Sequence, residues 1–183
     1  MYNKKFIPVA NPYLDSKERK AVNFVVGKKW ITMGQKVREF ENDLAKFLNV
    51  KYVVAMNNGT STLDSLVKYF GIKKSSDEVI IPDLTYISTA NAVTYNYGKI
   101  VLCDANADNF NINLEDLKKK ISNRTKLIIV TDMKGMPVDY DELLKIANKK
   151  KIPVISDSAE ALGSIYKNRK VGSQVIAHSF SFF

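Results

Sequence analysis

Five short apolar runs, at residues 52–56, 78–81, 100–102, 127–130 and 152–155, alternate with stretches that carry helix and turn signals. Runs of three to five apolar residues bounded by Gly, Pro, Asn or Asp are too short for buried helices and read as buried strands. A helix between successive strands imposes a crossover, and crossovers bring the strands together in parallel with both faces covered. The expected fold is therefore α/β: three αβα layers around a mostly parallel sheet.

The intervening segments supply the helices. Residues 6–9 read as an extended lead-in, and Asp15-Ser-Lys-Glu18 has the D-x-x-E form of a capping box. The helix it opens carries Val22, Val25 and Val26 and should stop near Gly27, followed by a loop at 28–34 that holds Trp30. A second helix from Lys36 spaces Val37, Phe40, Leu44, Phe47 and Leu48 along one side, which reads as core. Further helices carry Leu63, Leu66, Val67 and Phe70, then residues 85–97 with Tyr86 near the start. One opens at Asn113-Leu-Glu-Asp116, and the last covers 140–150 with Leu143, Leu144 and Ile146. With no repeat, linker or low-complexity stretch, the 183 residues read as one domain or a large piece of one.

Charge and cysteine content narrow the function classes. Lys and Arg outnumber Asp and Glu by 28 to 19, for a net charge of +9. The densest basic runs, Lys118-Lys119-Lys120 and Lys149-Lys150-Lys151, fall at expected helix ends, where they complement the helix dipole, so a nucleic-acid partner is not expected. One cysteine (Cys103) excludes an internal disulfide, and one histidine (His178) leaves no zinc-type ligand set. Without a span of ~20 apolar residues or the apolar core of a signal peptide, no membrane association is expected and the protein reads as cytoplasmic.

Three features follow strand ends and converge on one rim if the sheet is parallel. Asn57-Asn-Gly59-Thr60-Ser61 turns from a strand into a helix, where unpaired N–H groups and the helix dipole make a natural anion site. A plain N-cap remains the alternative. Neither a Walker pattern nor G-x-G-x-x-G is present, which weighs against ATPase and dinucleotide readings. Tyr86 follows the strand that ends at Pro82. Asp157 follows the run 152–155, placed either to cap the next turn or to meet a cationic heterocycle at the carboxyl end of the sheet. An anion cradle, an aromatic plate and a carboxylate on one rim suit a flat phosphorylated heteroaromatic, and pyridoxal 5′-phosphate meets all three demands.

The sequence resembles the DegT/DnrJ/EryC1/StrS sugar aminotransferases, and within them the GDP-perosamine synthase branch. The residues that carry the resemblance run along the whole chain: Trp30-Ile-Thr-Met-Gly34, Asn58-Gly-Thr60, Pro82-Asp-Leu-Thr-Tyr86, Asp157-Ser-Ala-Glu-Ala-Leu-Gly163, Tyr166-Lys-Asn-Arg-Lys-Val-Gly172 and Ser179-Phe-Ser-Phe-Phe183. The resemblance implies an aspartate aminotransferase-like large domain and transfer of an amino group from glutamate to a nucleotide-linked 4-ketosugar. It implies Gly59, Thr60, Ser61 and Ser181 at the cofactor phosphate and Tyr86 stacked on the ring. Asp157 would pair with the pyridine nitrogen, and Glu160 would reach the ring or its phenolic oxygen. It also implies a homodimer with a shared active site, for which residues 30–33 are a candidate contact and buried loop packing the alternative.

Two departures qualify this. The family pattern runs on through Ser-Phe-Phe-Gly-Asn-Lys, and the sequence stops at Phe183, before the lysine that would carry the cofactor as a Schiff base. Lys134, Lys167 and Lys170 do not match that position and read as surface charge. The resemblance therefore implies a truncated and inactive product without the small C-terminal domain, with unpaired sheet edges that favour association. A related dehydratase, with histidine in place of that lysine, and a non-catalytic remnant are the alternatives. The second departure is Thr131-Asp132-Met-Lys134-Gly135, where relatives usually carry His-Leu-Tyr-Gly. Asp132 and Lys134 would either pair with each other on the surface or change what the pocket accepts.

Overall fold

A computed structural model of the chain describes Phe6, Pro8 and residues 11–182. Of the expected lead-in at 6–9, Ile7 and Val9 lie outside the described residues. The chain divides into two compact units, residues 1–40 and 41–183, and every candidate cofactor residue belongs to the second.

In the first unit, helix α1 (Ser16–Gly27) begins at the expected capping box: Lys17 N–H donates to Asp15 Oδ1 (2.6 Å) and Asp15 N–H to Glu18 Oε2 (2.7 Å). Trp30, Ile31 and Met33 are exposed, so the loop is not buried packing. Trp30 Nε1–H donates to Met33 O at 3.0 Å, fixing the indole against its own turn.

Helix α2 (Gln35–Leu48) spans the division. Its spacing predicts a core face, yet only Leu48 is buried and Phe40 and Phe47 are exposed. Periodicity reports an apolar stripe, and it does not report whether a partner covers it.

The second unit is built on a five-stranded, all-parallel sheet of order β2-β1-β3-β4-β7, so the α/β expectation holds. The strands are β1 (Glu78–Pro82), β2 (Lys99–Cys103), β3 (Thr125–Thr131), β4 (Val154–Asp157) and β7 (Ala177–Ser179). A small antiparallel hairpin, β5 (Ile165–Tyr166) with β6 (Arg169–Lys170), lies between β4 and β7 in the chain.

Strand alternation sorts the core into two layers. Val79, Ile81, Leu127, Ile129 and Ile155 pack with Leu63 and Val67 of α3 (Gly59–Tyr69) and with Ala92 and Val93 of α4 (Ile87–Tyr95). Ile80, Ile128, Val130 and Val154 pack with Leu117 of α5 (Leu114–Lys120) and with Tyr140, Leu143 and Ala147 of α6 (Tyr140–Lys149). Each fully buried Ile or Leu contributes about 1.5–3 kcal/mol of transfer free energy, which holds the three layers together. No helix among the described residues is long and apolar enough to cross a membrane.

Two elements depart from the expectation. Residues 52–56 form no strand among the described residues: Ala55 N–H donates to the Glu41 carboxylate at 2.8 Å instead of to a ladder, and Tyr52 and Val54 are largely exposed. The apolar run fitted a strand, but strand identity also needs a neighbour for its backbone, and a single run cannot report one. The fourth sheet strand starts at Val154 rather than Ile152. Pro153 lacks an N–H for the ladder, and its carbonyl accepts from Ile128 N–H at 3.1 Å.

Candidate active site

The site lies at the carboxyl ends of the parallel strands, where open α/β sheets form their ligand crevice. Asn58, Gly59, Thr60, Leu63, Tyr86, Ser88, Thr131, Met133, Asp157, Ala159, Glu160 and Ser181 line one cavity of about 520 Å³. The rim residues read from the sequence are thus brought together, apart from Ser61. That residue sits one position deeper in α3, and its N–H is taken by Asn58 Oδ1 at 2.9 Å.

Asn58 is the N-cap of α3, so the first turn of this helix opens at Gly59 and Thr60 with its N–H groups and positive dipole end at the cavity. Gly59 is buried because residues 180–181 pass close by: a Cβ there would stand 3.2 Å from Ser181 Cβ and 3.4 Å from Phe180 O. Thr62 Oγ1–H donates to Gly59 O (2.6 Å) and bonds Ser179 Oγ, pinning the helix start to β7.

Tyr86 is the N-cap of α4 in extended conformation and makes no side-chain cap bond. The residue is 72% exposed and lines the cavity, an aromatic side chain open to a flat ligand.

Asp157 ends β4 and is 4% exposed. Thr89 Oγ1–H donates to its Oδ2 at 2.8 Å and Ala159 N–H to its Oδ1 at 3.3 Å. Thr85 Oγ1 bonds both Thr89 Oγ1 (2.8 Å) and Thr131 Oγ1 (3.1 Å), so two further threonines back the one that bonds the carboxylate. Burial lifts the Asp157 carboxyl above the ordinary aspartate range; the Thr89 and Ala159 donors oppose the rise, and the charges of Asp132 and Glu160 add to it. A buried carboxylate whose bonded partners are all uncharged is set to receive a cation.

Glu160 is exposed at the cavity mouth, and its Oε2 accepts from Lys134 N–H at 2.7 Å. That contact depends on the turn at Met133–Gly135, where Lys134 takes φ +54° and Gly135 φ +76°. A Cβ on Gly135 would meet Glu160 O at 3.1 Å.

The surface pairing of Asp132 with Lys134 does not occur. Asp132 is fully buried among hydroxyls, while the Lys134 ammonium lies outside, 4.2 Å from the Phe110 ring centroid. Lys167 and Lys170 are also exposed: Lys167 pairs with Asp141, and Lys170 lies over Phe47. Sequence reasoning passed over Thr89 and gave no role of their own to Thr131 and Asn58, which it quoted only within longer stretches. The i, i+4 pair Thr85 and Thr89 at a helix start was the available signal. Among the described residues no group of three His, Cys, Asp or Glu is placed to hold a metal ion.

A parallel sheet between helix layers, with an anion-binding helix start and a buried acid at its carboxyl rim, defines an aminotransferase-like α/β domain. The chain belongs to the DegT/DnrJ/EryC1/StrS aminotransferase family, whose model matches residues 12–183. It is 40% identical over 178 residues to the GDP-perosamine synthase of Caulobacter vibrioides, covering 97% of this chain and 48% of that one. In structure it is similar to Helicobacter pylori PseC, an aminotransferase involved in the biosynthesis of pseudoaminic acid, with TM-score 0.93, 33% identity and coverage of 98% and 48%. It is also similar to Spr1654 from Streptococcus pneumoniae in its PLP form, with TM-score 0.93, 31% identity and coverage of 97% and 49%. The chain spans about half the length of the curated relatives it matches.

Proposed function

We propose that residues 1–183 form the cofactor-binding part of a pyridoxal 5′-phosphate-dependent aminotransferase. Its reaction passes an amino group from glutamate to a nucleotide-linked 4-ketosugar destined for surface polysaccharide. The observation that carries this reading is the single cavity shared by the α3 start, the Tyr86 ring and buried Asp157.

The residues present fit the cofactor. The N–H groups at Gly59 and Thr60, with the Ser181 hydroxyl beside Gly59, would hold its phosphate. Tyr86 would stack on the ring, and Glu160 would stand at the ring edge. Asp157 would keep a proton on the ring nitrogen, the ionic partner that its buried carboxylate lacks in its own hydrogen bonds. Pyridoxal phosphate, when bound, supplies an electron sink for bonds broken beside the substrate amine.

Thr89, backed by Thr85 and Thr131, holds Asp157 in place, and Leu63 and Met133 give the cavity apolar lining. No lysine is among the lining residues, so this stretch alone is expected to bind cofactor without transferring amine. In the working protein the exposed Trp30, Ile31 and Met33 are offered as a homodimer contact, and the protein is assigned to the cytoplasm.

The test is a full-length protein given pyridoxal phosphate, glutamate and a nucleotide-linked 4-ketosugar, with the product weighed by mass spectrometry. An aminosugar product with 2-oxoglutarate supports transfer. A dehydrated product without nitrogen supports a lyase, and no product with any ketosugar overturns the reading.

A further inference from the structure

Behind Asp157 lies a polar network that the pocket does not use directly. Asp132 follows β3 and is fully buried. Its carboxylate accepts from Tyr140 OH (2.7 and 2.6 Å), Ser156 Oγ–H (3.0 Å), Ser158 Oγ–H (2.6 Å) and Val138 N–H (3.1 Å). Three hydroxyls and one amide satisfy it, and no cation is among these partners. Ser158 Oγ also stands 2.8 Å from His178 Nδ1.

The far side of the imidazole fixes its tautomer. Nε2 accepts from Gln174 N–H (3.3 Å) and Val175 N–H (3.4 Å), so the ring proton sits on Nδ1 and donates to Ser158 Oγ. Ser158 then turns its own proton to Asp132. The bonds run in one direction, from His178 on β7 through Ser158 to Asp132.

This network is joined to Asp157 through the sheet: Asp132 N–H donates to Asp157 O at 3.1 Å, and Ser158, the next residue along the chain, donates its N–H to the O of Ser179, the β7 register partner of Asp157, at 2.8 Å. Thr131 and Asp157 are register partners in the sheet. A buried negative charge that hydroxyl dipoles satisfy but no cation neutralises acts over a longer range than a paired one, because little around it screens the field.

We propose that Asp132 is a positioning residue for the ring-nitrogen subsite: acting through Asp157 and held by the Ser158–His178 relay, it makes the cavity floor select a cationic ring over a neutral one. This rests on the pyridoxal phosphate reading above. The rise in the Asp157 carboxyl, to which the Asp132 charge contributes, agrees with it.

The test compares pyridoxal phosphate with its 1-deaza analogue, which keeps the aldehyde, hydroxyl and phosphate but has carbon in place of the ring nitrogen. Dissociation constants are read by absorbance titration of the chain and of Asp132→Asn. Wild type is expected to favour pyridoxal phosphate, and Asp132→Asn to cut that preference about tenfold, the equivalent of one pKa unit at the ring nitrogen, with little change for the analogue. A merely structural role weakens both ligands alike; an unchanged ratio overturns the proposal. If wild type binds neither ligand, the cofactor reading itself falls and takes this inference with it.

A second measurement needs neither ligand nor variant. His178 is the only histidine of the chain, so 15N-histidine labelling gives one imidazole spectrum. The Nδ1–H tautomer is expected, and an Nε2–H tautomer overturns the relay and with it the proposal.

Discussion

Thr89 Oγ1 donates to Asp157 Oδ2 across 2.8 Å, tying the first turn of α4 to the last residue of β4. The bond favours the charged form of the carboxylate, against the upward push of burial. Hydrogen bonds to charged groups contribute about 1.5–3 kcal/mol. Thr89→Val keeps the shape and removes the donor, and is expected to weaken pyridoxal phosphate binding by roughly ten- to a hundredfold on that scale. Absorbance titration checks it; unchanged affinity would mean Asp157 does not meet the ring as a carboxylate.

Asp157 itself should show a conflict between stability and function. Its folded-state pKa is raised, so its contribution to stability is fully present below the unfolded aspartate pKa and is lost as pH rises through the folded value. At neutral pH the empty site therefore bears the cost of a buried charge. Asp157→Asn is expected to raise the melting temperature of the cofactor-free protein at pH 7.5 and to lower pyridoxal phosphate affinity at least tenfold. A variant that melts lower and binds as well would reverse the assignment.

The close approach at Gly59 separates the phosphate subsite from the ring subsite. A Cβ placed 3.2 Å from Ser181 Cβ forces residues 180–181 or the α3 start to shift by a few tenths of an ångström. Gly59→Ala is therefore expected to weaken pyridoxal phosphate by about tenfold, on the scale of a poorly accommodated methyl group, while pyridoxal, which lacks the phosphate, is little affected. Parallel titrations check this, and equal losses for both ligands would contradict it.

How much of this was legible in the sequence follows from what each signal measures. The capping boxes and strand runs are local, and Asp15 with Glu18, the β1 and β3 runs and Asn113 at the start of α5 lie where the sequence puts them. The rim was legible for Tyr86 and Asp157 because parallel crossovers send every strand's carboxyl end the same way; Gly59 meets them although no strand precedes it, held to β7 by the Thr62–Ser179 bond and the close passage of residues 180–181. Pairing partners were not legible. Residues 52–56 have the composition of a strand without a neighbour, and β7 has a strand's neighbour with the unremarkable sequence Ala-His-Ser. The burial of Asp132 was not legible, because nothing in its flanks shows that Tyr140, Ser156 and Ser158 converge on it.

His178 gives a pH dependence with a definite sign. Burial pushes the imidazole down to about 4, against the pull of the Asp132 charge. Between pH 6.5 and 4 the unfolded chain binds a proton that the folded one refuses, so this contribution to stability is whole above pH 6.5 and is lost as pH falls towards 4. Asp157 titrates in the opposite sense, but it is common to wild type and to His178→Gln and cancels in their difference. Urea unfolding of both proteins across this range should show the gap between them closing as pH falls. A gap that stays constant would mean that the folded imidazole titrates like a free one.

The most direct measurement is a crystal structure of the protein grown with pyridoxal 5′-phosphate. The phosphate is expected at the N-terminus of α3 beside Gly59 and Thr60, the ring against Tyr86, and the ring nitrogen within hydrogen-bond reach of Asp157. A ring nitrogen turned away from Asp157, or a phosphate bound anywhere but the start of α3, would contradict it.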